Sequence, residues 1–308
     1  MFSSRIRLEI KCSYKLTAND YTEILIGSGA RAFLIFGLYN LGLKIYWHLK
    51  RPERGILNTE IVQAIELLSE RAEKLSVRFS DRQSDKLARF LEHLEQYNQH
   101  TNLVSNAAPK VVALEHLLDS MSLIESVSHQ IEKRKKGASR LIDIGSGAGF
   151  PGLILAIMFA DLDVTLMDSI EKKTRFLEAT ADLLDLQNVS VLTERAESIA
   201  HHPQYRETFD IATARAVGGS GMIVELALPL LNLGGVLILQ KTESQLVDES
   251  HKARKAAKLL GGVMGSVVAL DQTILGKARS LILVTKEEHT ADKYPRAWKK
   301  IKEHPLGQ

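Results

Sequence analysis

Residues 141–152, Leu-Ile-Asp-Ile-Gly-Ser-Gly-Ala-Gly-Phe-Pro-Gly, leave this chain few ways to fold. Leu141–Ile144 is a short apolar run that reads as a buried strand. Gly145, Gly147 and Gly149 then let the backbone turn tightly and approach a ligand with no Cβ in the way. Pro151 suits the first turn of a helix, where its missing N–H costs nothing. Strand, glycine turn and helix in this order predict a site for a nucleotide-like cofactor at the C-terminal end of a sheet strand.

The rest of the chain supplies the sheet such a turn requires. Strand-like runs at 140–145, 163–168, 189–193, 209–213 and 235–240 alternate with helical patterns at 151–160, 171–186, 196–200, 219–231 and 244–260. That alternation predicts a doubly wound sheet with helices on both faces. Two final runs, 263–270 and 280–286, have no helical pattern between them, so they are expected to pair antiparallel. Upstream, helical periods at 59–77, 81–100 and 109–130 predict a small helical domain. Leu87, Phe90, Leu91 and Leu94 share one face of its second helix, which Asp81 is placed to cap. Leu114, Leu117, Leu118, Met121 and Ile124 face inward on the third. The expected divisions are an N-terminal extension (1–58), the helical domain (59–136), the sheet domain (137–290) and a basic C-terminal tail (291–308).

Composition excludes several classes. The single cysteine, Cys12, allows no internal disulfide and no multi-cysteine zinc site, and no metal is expected. A reducing, cytoplasmic setting follows. A net charge of +3 is too small for a chain that is polybasic throughout, although basic residues gather at 133–136, 251–258 and 293–302. The uncharged run 32–43 is shorter than the roughly 20 residues a membrane-spanning helix needs. It reads as an interfacial helix or, better, as part of a dispensable extension. Glu9, Asp20 and Glu23 argue against a presequence at the N-terminus.

Glycines alone do not select the cofactor. Gly147-Ala-Gly149-Phe-Pro-Gly152 has dinucleotide spacing, and Asp168, nineteen residues beyond Gly149, stands where a ribose-binding acid belongs. An NAD-dependent oxidoreductase is therefore one reading. Three features favour S-adenosylmethionine. Asp143 precedes the turn, and a carboxylate there suits a cationic methionine moiety but repels a pyrophosphate. The last two strands are expected to be antiparallel. No second catalytic domain is expected after the last strand.

Further motifs surround the turn: Tyr97-Asn98 with Asn102-Leu103, His116-Leu-Leu-Asp-Ser120, and Asp168-Ser169 with Lys172-Lys-Thr-Arg-Phe-Leu177. Arg195-Ala-Glu197, Arg215-Ala216 and Lys293-Tyr-Pro-Arg296 follow. In these residues the chain resembles the bacterial 16S rRNA guanine-N7 methyltransferases, the RsmG or GidB family, from about residue 75 onward. The resemblance implies a Rossmann-like S-adenosylmethionine-dependent methyltransferase fold, its sheet mostly parallel with an antiparallel last strand, behind a small N-terminal helical domain. It implies methyl transfer to N7 of a guanine in 16S rRNA of the 30S ribosomal subunit, by a monomer with no stable membrane span.

Asp143, Gly145, Gly147, Gly149, Phe150, Asp168, Ala196, Glu197 and Arg215 are the implied cofactor-binding residues. Asp168 is assigned to the ribose hydroxyls and Ala196-Glu197 to the adenine. Arg215 and His116 are the candidate catalytic residues, although N7 carries an in-plane lone pair and needs no base to remove a proton. Lys172, Lys173, Arg175, Lys241, Arg279, Lys293 and Arg296 form the candidate RNA-binding rim, with Tyr294 the nearest aromatic to stack on a base. Methylation of another substrate, or a non-catalytic RNA-binding module on a cofactor fold, are the alternatives.

Overall fold

The computed structural model describes residues 58–133, 137–215 and 218–308, together with the backbone of three short strands nearer the N-terminus. The chain divides into two compact units, Met1–Leu57 and Asn58–Gln308. In the first, β1 (Tyr21–Ile26), β2 (Ala30–Ile35) and β3 (His48–Leu49) form an antiparallel sheet in that order. The uncharged run at 32–43 therefore begins in a strand, not an interfacial helix, and its residues 36–43 lie outside the described residues. The presequence reading of residues 1–20 also falls outside them. Among the described residues no helix is long and apolar enough to cross a membrane.

The second unit opens with helices. α1 (Thr59–Lys74) starts at Asn58, whose side chain accepts from the Glu60 N–H at 3.0 Å. α2 (Asp81–Thr101) is capped by Ser80, not by Asp81. Ser80 Oγ accepts from the Gln83 N–H while Gln83 Oε1 accepts from the Ser80 N–H, a reciprocal capping box that only the residue three before Gln83 can make. Leu87, Phe90, Leu91 and Leu94 are buried, as their spacing predicts.

The single helix expected over 109–130 is interrupted. α3 (Pro109–Val112) runs into a π-helical turn at Ala113–Leu117, then α4 (Leu118–Met121), and α5 (Ile124–Lys133) starts anew. At the break, Ser122 Oγ donates to the Asp119 carbonyl at 2.6 Å and so competes with the helical ladder. Leu117, Leu118 and Met121 are buried, whereas Leu114 and Ile124 are half-buried.

There follow β4 (Ser139–Ile144), α6 (Gly152–Met158), β5 (Leu162–Asp168), α7 (Glu171–Leu183), β6 (Val189–Thr193), α8 (Ala196–Ile199) and β7 (Phe209–Ala214). Then come α9 (Ser220–Ala227), β8 (Leu231–Thr242), α10 (Glu243–Leu259), β9 (Gly262–Leu270), α11 (Gln272–Leu275), β10 (Arg279–Lys286) and α12 (Trp298–Glu303). α9 stops short of the expected 231. Pro229 sits in a 3₁₀ turn at Leu228–Leu230, where the missing N–H ends the α-helical ladder, and β8 begins at once.

The seven strands lie in the order β6-β5-β4-β7-β8-β10-β9. All pairs from β6 to β8 are parallel, and β10 is antiparallel to both neighbours. The last two strands thus pair as expected, and β10 also inserts between β8 and β9.

Side chains alternate across the sheet. Ile142, Ile144, Ala212, Ala214, Leu237 and Leu239 form one core with α9, α10 and Ile301 of α12. On the opposite side the upstream helices join the sheet through α2. Gln83 donates to the Ile157 and Met158 carbonyls at the end of α6, and Arg89 donates to the Leu183 carbonyl at the end of α7. These carbonyls have no partner within their own helices, and the Arg89 cation also suits the negative helix terminus.

Candidate active site

β4 lies between β5 and β7, so the winding of the chain reverses across its C-terminal end, where a crevice opens. The turn after β4 is pinned to the neighbouring strand: the Gly145 and Ser146 N–H groups both donate to the Met167 carbonyl, at 2.8 and 2.9 Å. Gly149 has φ +95°, and a Cβ there would stand 2.8 Å from Leu153 Cβ, so conformation and space both require glycine. A Cβ on Gly152 would stand 2.6 Å from Asp143 Cβ. Gly147 differs, because a Cβ there would meet only the Gly145 carbonyl oxygen, at 3.9 Å; this glycine borders open space. Pro151 occupies the N-cap of α6, one residue before the predicted helical position.

Asp143 lies beneath the turn, not in the crevice. It is fully buried, and its register partner Thr213 donates to Oδ1 at 2.8 Å while the Gly152 N–H donates to Oδ2 at 3.1 Å. Burial pushes its pKa up, and the hydrogen bonds from Thr213 and Gly152 oppose that shift. The expected direct contact with a cofactor is therefore corrected: both carboxylate oxygens are engaged in holding strand, turn and helix together.

A cavity of about 230 Å³ opens at the ends of β4, β5 and β6. Gly145, Asp168, Ala196 and Glu197 line it, as the sequence predicts. Asp168 is 6% exposed; its Oδ2 accepts from the Gly147 N–H at 3.1 Å and from Lys173 Nζ at 3.3 Å, and its Oδ1 from the Ile170 N–H at 3.0 Å. α7 has no side-chain N-cap of its own, so Asp168 shapes the turn before that helix as well as the cavity. Met167, Ile170, Glu194, Leu226 and Trp298 also line it and escaped the sequence reading. Trp298 comes from the expected basic tail, and its only local signal was an aromatic residue among lysines.

Beside the cavity, at the ends of β7 and β8, lies a polar cluster around Asp119, which is 1% exposed. Arg215 NH1 donates to Asp119 Oδ2 at 3.2 Å, and Arg279 Nε and Gln240 Nε2 donate to Oδ1 at 3.3 and 3.1 Å. Arg215 NH2 stands 3.0 Å from His116 Nδ1. Burial, followed by the nearby Arg215 and Lys277 charges, pushes the His116 pKa down to about 4, so the ring is neutral and Nδ1 accepts.

Phe150, which follows the glycine turn, packs on the cluster: His116 stacks on its ring at 4.8 Å and Arg215 Cζ stands 4.9 Å from its centroid. Phe150 itself is 4% exposed and does not line the cavity. His116 and Arg215, which come from separate motifs, are thus partners, and Asp119 and Gln240 join them. Two arginines share one carboxylate, which leaves the cluster with net positive charge.

The expected RNA-binding rim divides. Lys172, Arg175 and Lys293 are exposed, and Lys173 is half-buried beside Asp168. Arg279 belongs to the Asp119 cluster. Lys241 and Arg296 do not form an open rim. Lys241 pairs with Glu249 at 2.8 Å with its side chain only 10% exposed. Arg296 makes three hydrogen bonds, at 2.6 to 2.9 Å, to the fully buried Glu225, a carboxylate that must have a partner. Tyr294 is half-buried against the core, with Lys293 Nζ 5.4 Å from its ring centroid, and does not line the cavity.

A parallel sheet that reverses at a glycine turn, an acid ending the second strand and an antiparallel strand inserted at position six define a Rossmann-like S-adenosylmethionine-dependent methyltransferase. The family model for GidB, rRNA small subunit methyltransferase G, matches residues 83–282. Ribosomal RNA small subunit methyltransferase G of Acetivibrio thermocellus is 36% identical over 240 residues, 78% of this chain and 96% of its own length. The protein of that name from Roseiflexus castenholzii is 40% identical over 222 residues, 72% of this chain and 91% of its own. The chain belongs to the rRNA small subunit methyltransferase G family. The cavity suits that class's cofactor: Asp168 offers carboxylate oxygens to a ribose diol, Ile144, Met167 and Ile170 offer apolar surface to a purine, and Gly147 leaves open space at the turn.

Proposed function

We propose that this protein methylates N7 of a guanine in 16S rRNA on the 30S ribosomal subunit, in the cytoplasm and as a monomer. The observation that carries the reading is a cavity lined by Gly145, Asp168, Ala196 and Glu197 at the C-terminal end of the sheet, together with a cationic cluster built on Asp119, Arg215 and Arg279. When bound, S-adenosylmethionine supplies an electrophilic methyl group. Asp168 holds the ribose hydroxyls, the backbone at Ala196-Glu197 reads the adenine edge, and the glycine turn allows close approach.

Arg215 and Arg279 hold positive charge where an RNA phosphate approaches, and Asp119 orients both. His116, neutral and accepting from Arg215, fixes the guanidinium plane against Phe150. Guanine N7 needs no deprotonation, so orientation and electrostatics suffice, in agreement with a cluster whose histidine is a hydrogen-bond acceptor. Exposed Lys172, Arg175 and Lys293 add sequence-independent attraction for the RNA backbone.

The test is methyl transfer from labelled cofactor to purified 30S subunits and to naked 16S rRNA. Label is expected in 16S rRNA, released as 7-methylguanine on nuclease digestion. Label in another nucleotide, or none in either substrate, overturns the reading.

A further inference from the structure

The C-terminal segment after β10 is locked onto the sheet domain. Arg296 is held by three hydrogen bonds to buried Glu225 of α9. The Pro295 carbonyl lies 2.8 Å from His201 Nε2, and the Tyr294 carbonyl accepts from Arg206 at 3.0 Å. Ile301, one turn into α12, is fully buried in the core shared with α9 and α10. The last residues lie so close to those helices that a Cβ on Gly221 would fall 1.8 Å from the Leu306 carbonyl oxygen.

Between the Arg296 clamp and buried Ile301 stands Trp298, with anchors on both sides along the chain. Trp298 packs against that core and forms part of the cavity wall. Arg195, from the loop that leads into α8, stands with its Cζ 5.6 Å from the indole centroid, a cation–π distance. Arg195 also pairs with Glu197 at 3.6 Å. Trp298 and the segment 195–197 thus line the same cavity, with Arg195 between them. Ile170, 43% exposed, is a second apolar side chain that lines the same cavity and is open to solvent.

We propose that Trp298 is the aromatic wall of the purine subsite, a cofactor-binding residue that the fixed C-terminal segment holds in position before any ligand arrives. The chemistry recognised is a neutral, flat nucleobase on a ribose, and a pre-positioned indole binds such a group at little entropic cost. Trp298 thus contributes to affinity for the cofactor's nucleoside half and not for its amino-acid half. The proposal rests on the reading of this cavity as the S-adenosylmethionine site.

The chain has two tryptophans, Trp47 and Trp298, so the indole is also its own reporter. S-Adenosylhomocysteine and adenosine are titrated separately into the full-length protein, with binding followed by calorimetry and by tryptophan emission. Both ligands are expected to bind and to quench emission in the wild type, and the quench is expected to vanish in W298F. W298L, which keeps apolar bulk without an aromatic face, is expected to weaken both ligands roughly tenfold, with W298F within about threefold of wild type.

If the wild type binds neither ligand, the cofactor reading of the cavity fails. If the wild type binds but W298L binds equally well, or W298F retains the full quench, the assignment of Trp298 fails while the cavity reading stands. A purely structural role lowers the thermal midpoint of W298L and leaves its affinity for both ligands at the wild-type value, which overturns the assignment. Should W298L not fold, the W298F quench and affinity still decide the matter.

Discussion

Gly152 and Asp143 hold the turn by mutual necessity. The Gly152 N–H donates to the buried carboxylate, and the absence of a Cβ lets the two residues approach. G152A places a methyl 2.5 Å from Leu166 Cδ2 and 2.6 Å from Asp143 Cβ, so it is expected to destabilise the fold by about 1–3 kcal/mol. A urea midpoint unchanged from wild type rules this out. Asp168 is a different kind of acid, with oxygens that face both the turn and the cavity. D168A is expected to weaken S-adenosylhomocysteine binding by tenfold or more in calorimetry, because a charge-assisted acceptor for the ribose is lost. Undiminished affinity sinks that assignment. Both acids stood out in the sequence, but the distinction between them did not. It depends on Thr213, the residue opposite Asp143 on β7, and on which of the two carboxylates borders the cavity.

Helix periods and strand alternation are local properties, so α1, α2, α7, α10 and most strands fall within a few residues of their expected positions. The departures occur where one atom's bonding overrides the period. Ser80 rather than Asp81 starts α2, because only its side chain reaches the Gln83 amide while Gln83 returns the bond. S80A is expected to cost about 0.5–2 kcal/mol, with the loss visible in chemical denaturation and no change in cofactor affinity. An S80A protein as stable as wild type shows that Asp81 can take over the cap. The interruption at 113–123 follows the same logic. Asp119 and Ser120 are buried polar residues on what the period marks as an apolar helix. The local winding accommodates their partners: Arg215, Gln240 and Arg279 for Asp119, and the His116 carbonyl for Ser120.

Two groups held far from their ordinary values, His116 and Glu207, lead the expected response of the protein to pH, and His93, whose pKa burial also lowers, adds to that of His116. His116 titrates near 4 in the folded protein against 6.5 ordinarily. Between those values the unfolded chain binds a proton that the folded chain refuses, so stability falls as pH drops from 6.5 toward 4. For Glu207, burial alone raises the pKa, but bonds from Lys286, His289 and Thr290 outweigh it and hold the carboxyl at about 2. Its contribution is complete above 4.5 and is lost as pH falls from there toward 2. Urea midpoints are therefore expected to fall in two overlapping stages below pH 6.5. H116Q is expected to flatten the upper stage alone, and a wild-type slope in H116Q between pH 6.5 and 4 removes His116 as its source.

The amino-acid sequence by itself determined the glycine turn, the alternation of strands and helices, the acid at the end of β5 and membership of the family. Each is written in adjacent residues, because φ/ψ sterics and periodicity act over a few positions. The tertiary structure decided which charges face outward. Lys241 and Arg296 read as surface cations until Glu249 and Glu225 are brought against them, the latter from 71 positions away in the chain. It also decided that β10 enters between β8 and β9, that Asp119 draws two arginines onto one carboxylate, and that Trp298 reaches the cavity. Such pairings leave no local pattern. The desolvation of a charge or the burial of a ring depends on everything that packs around it, and that is known only once the chain has folded.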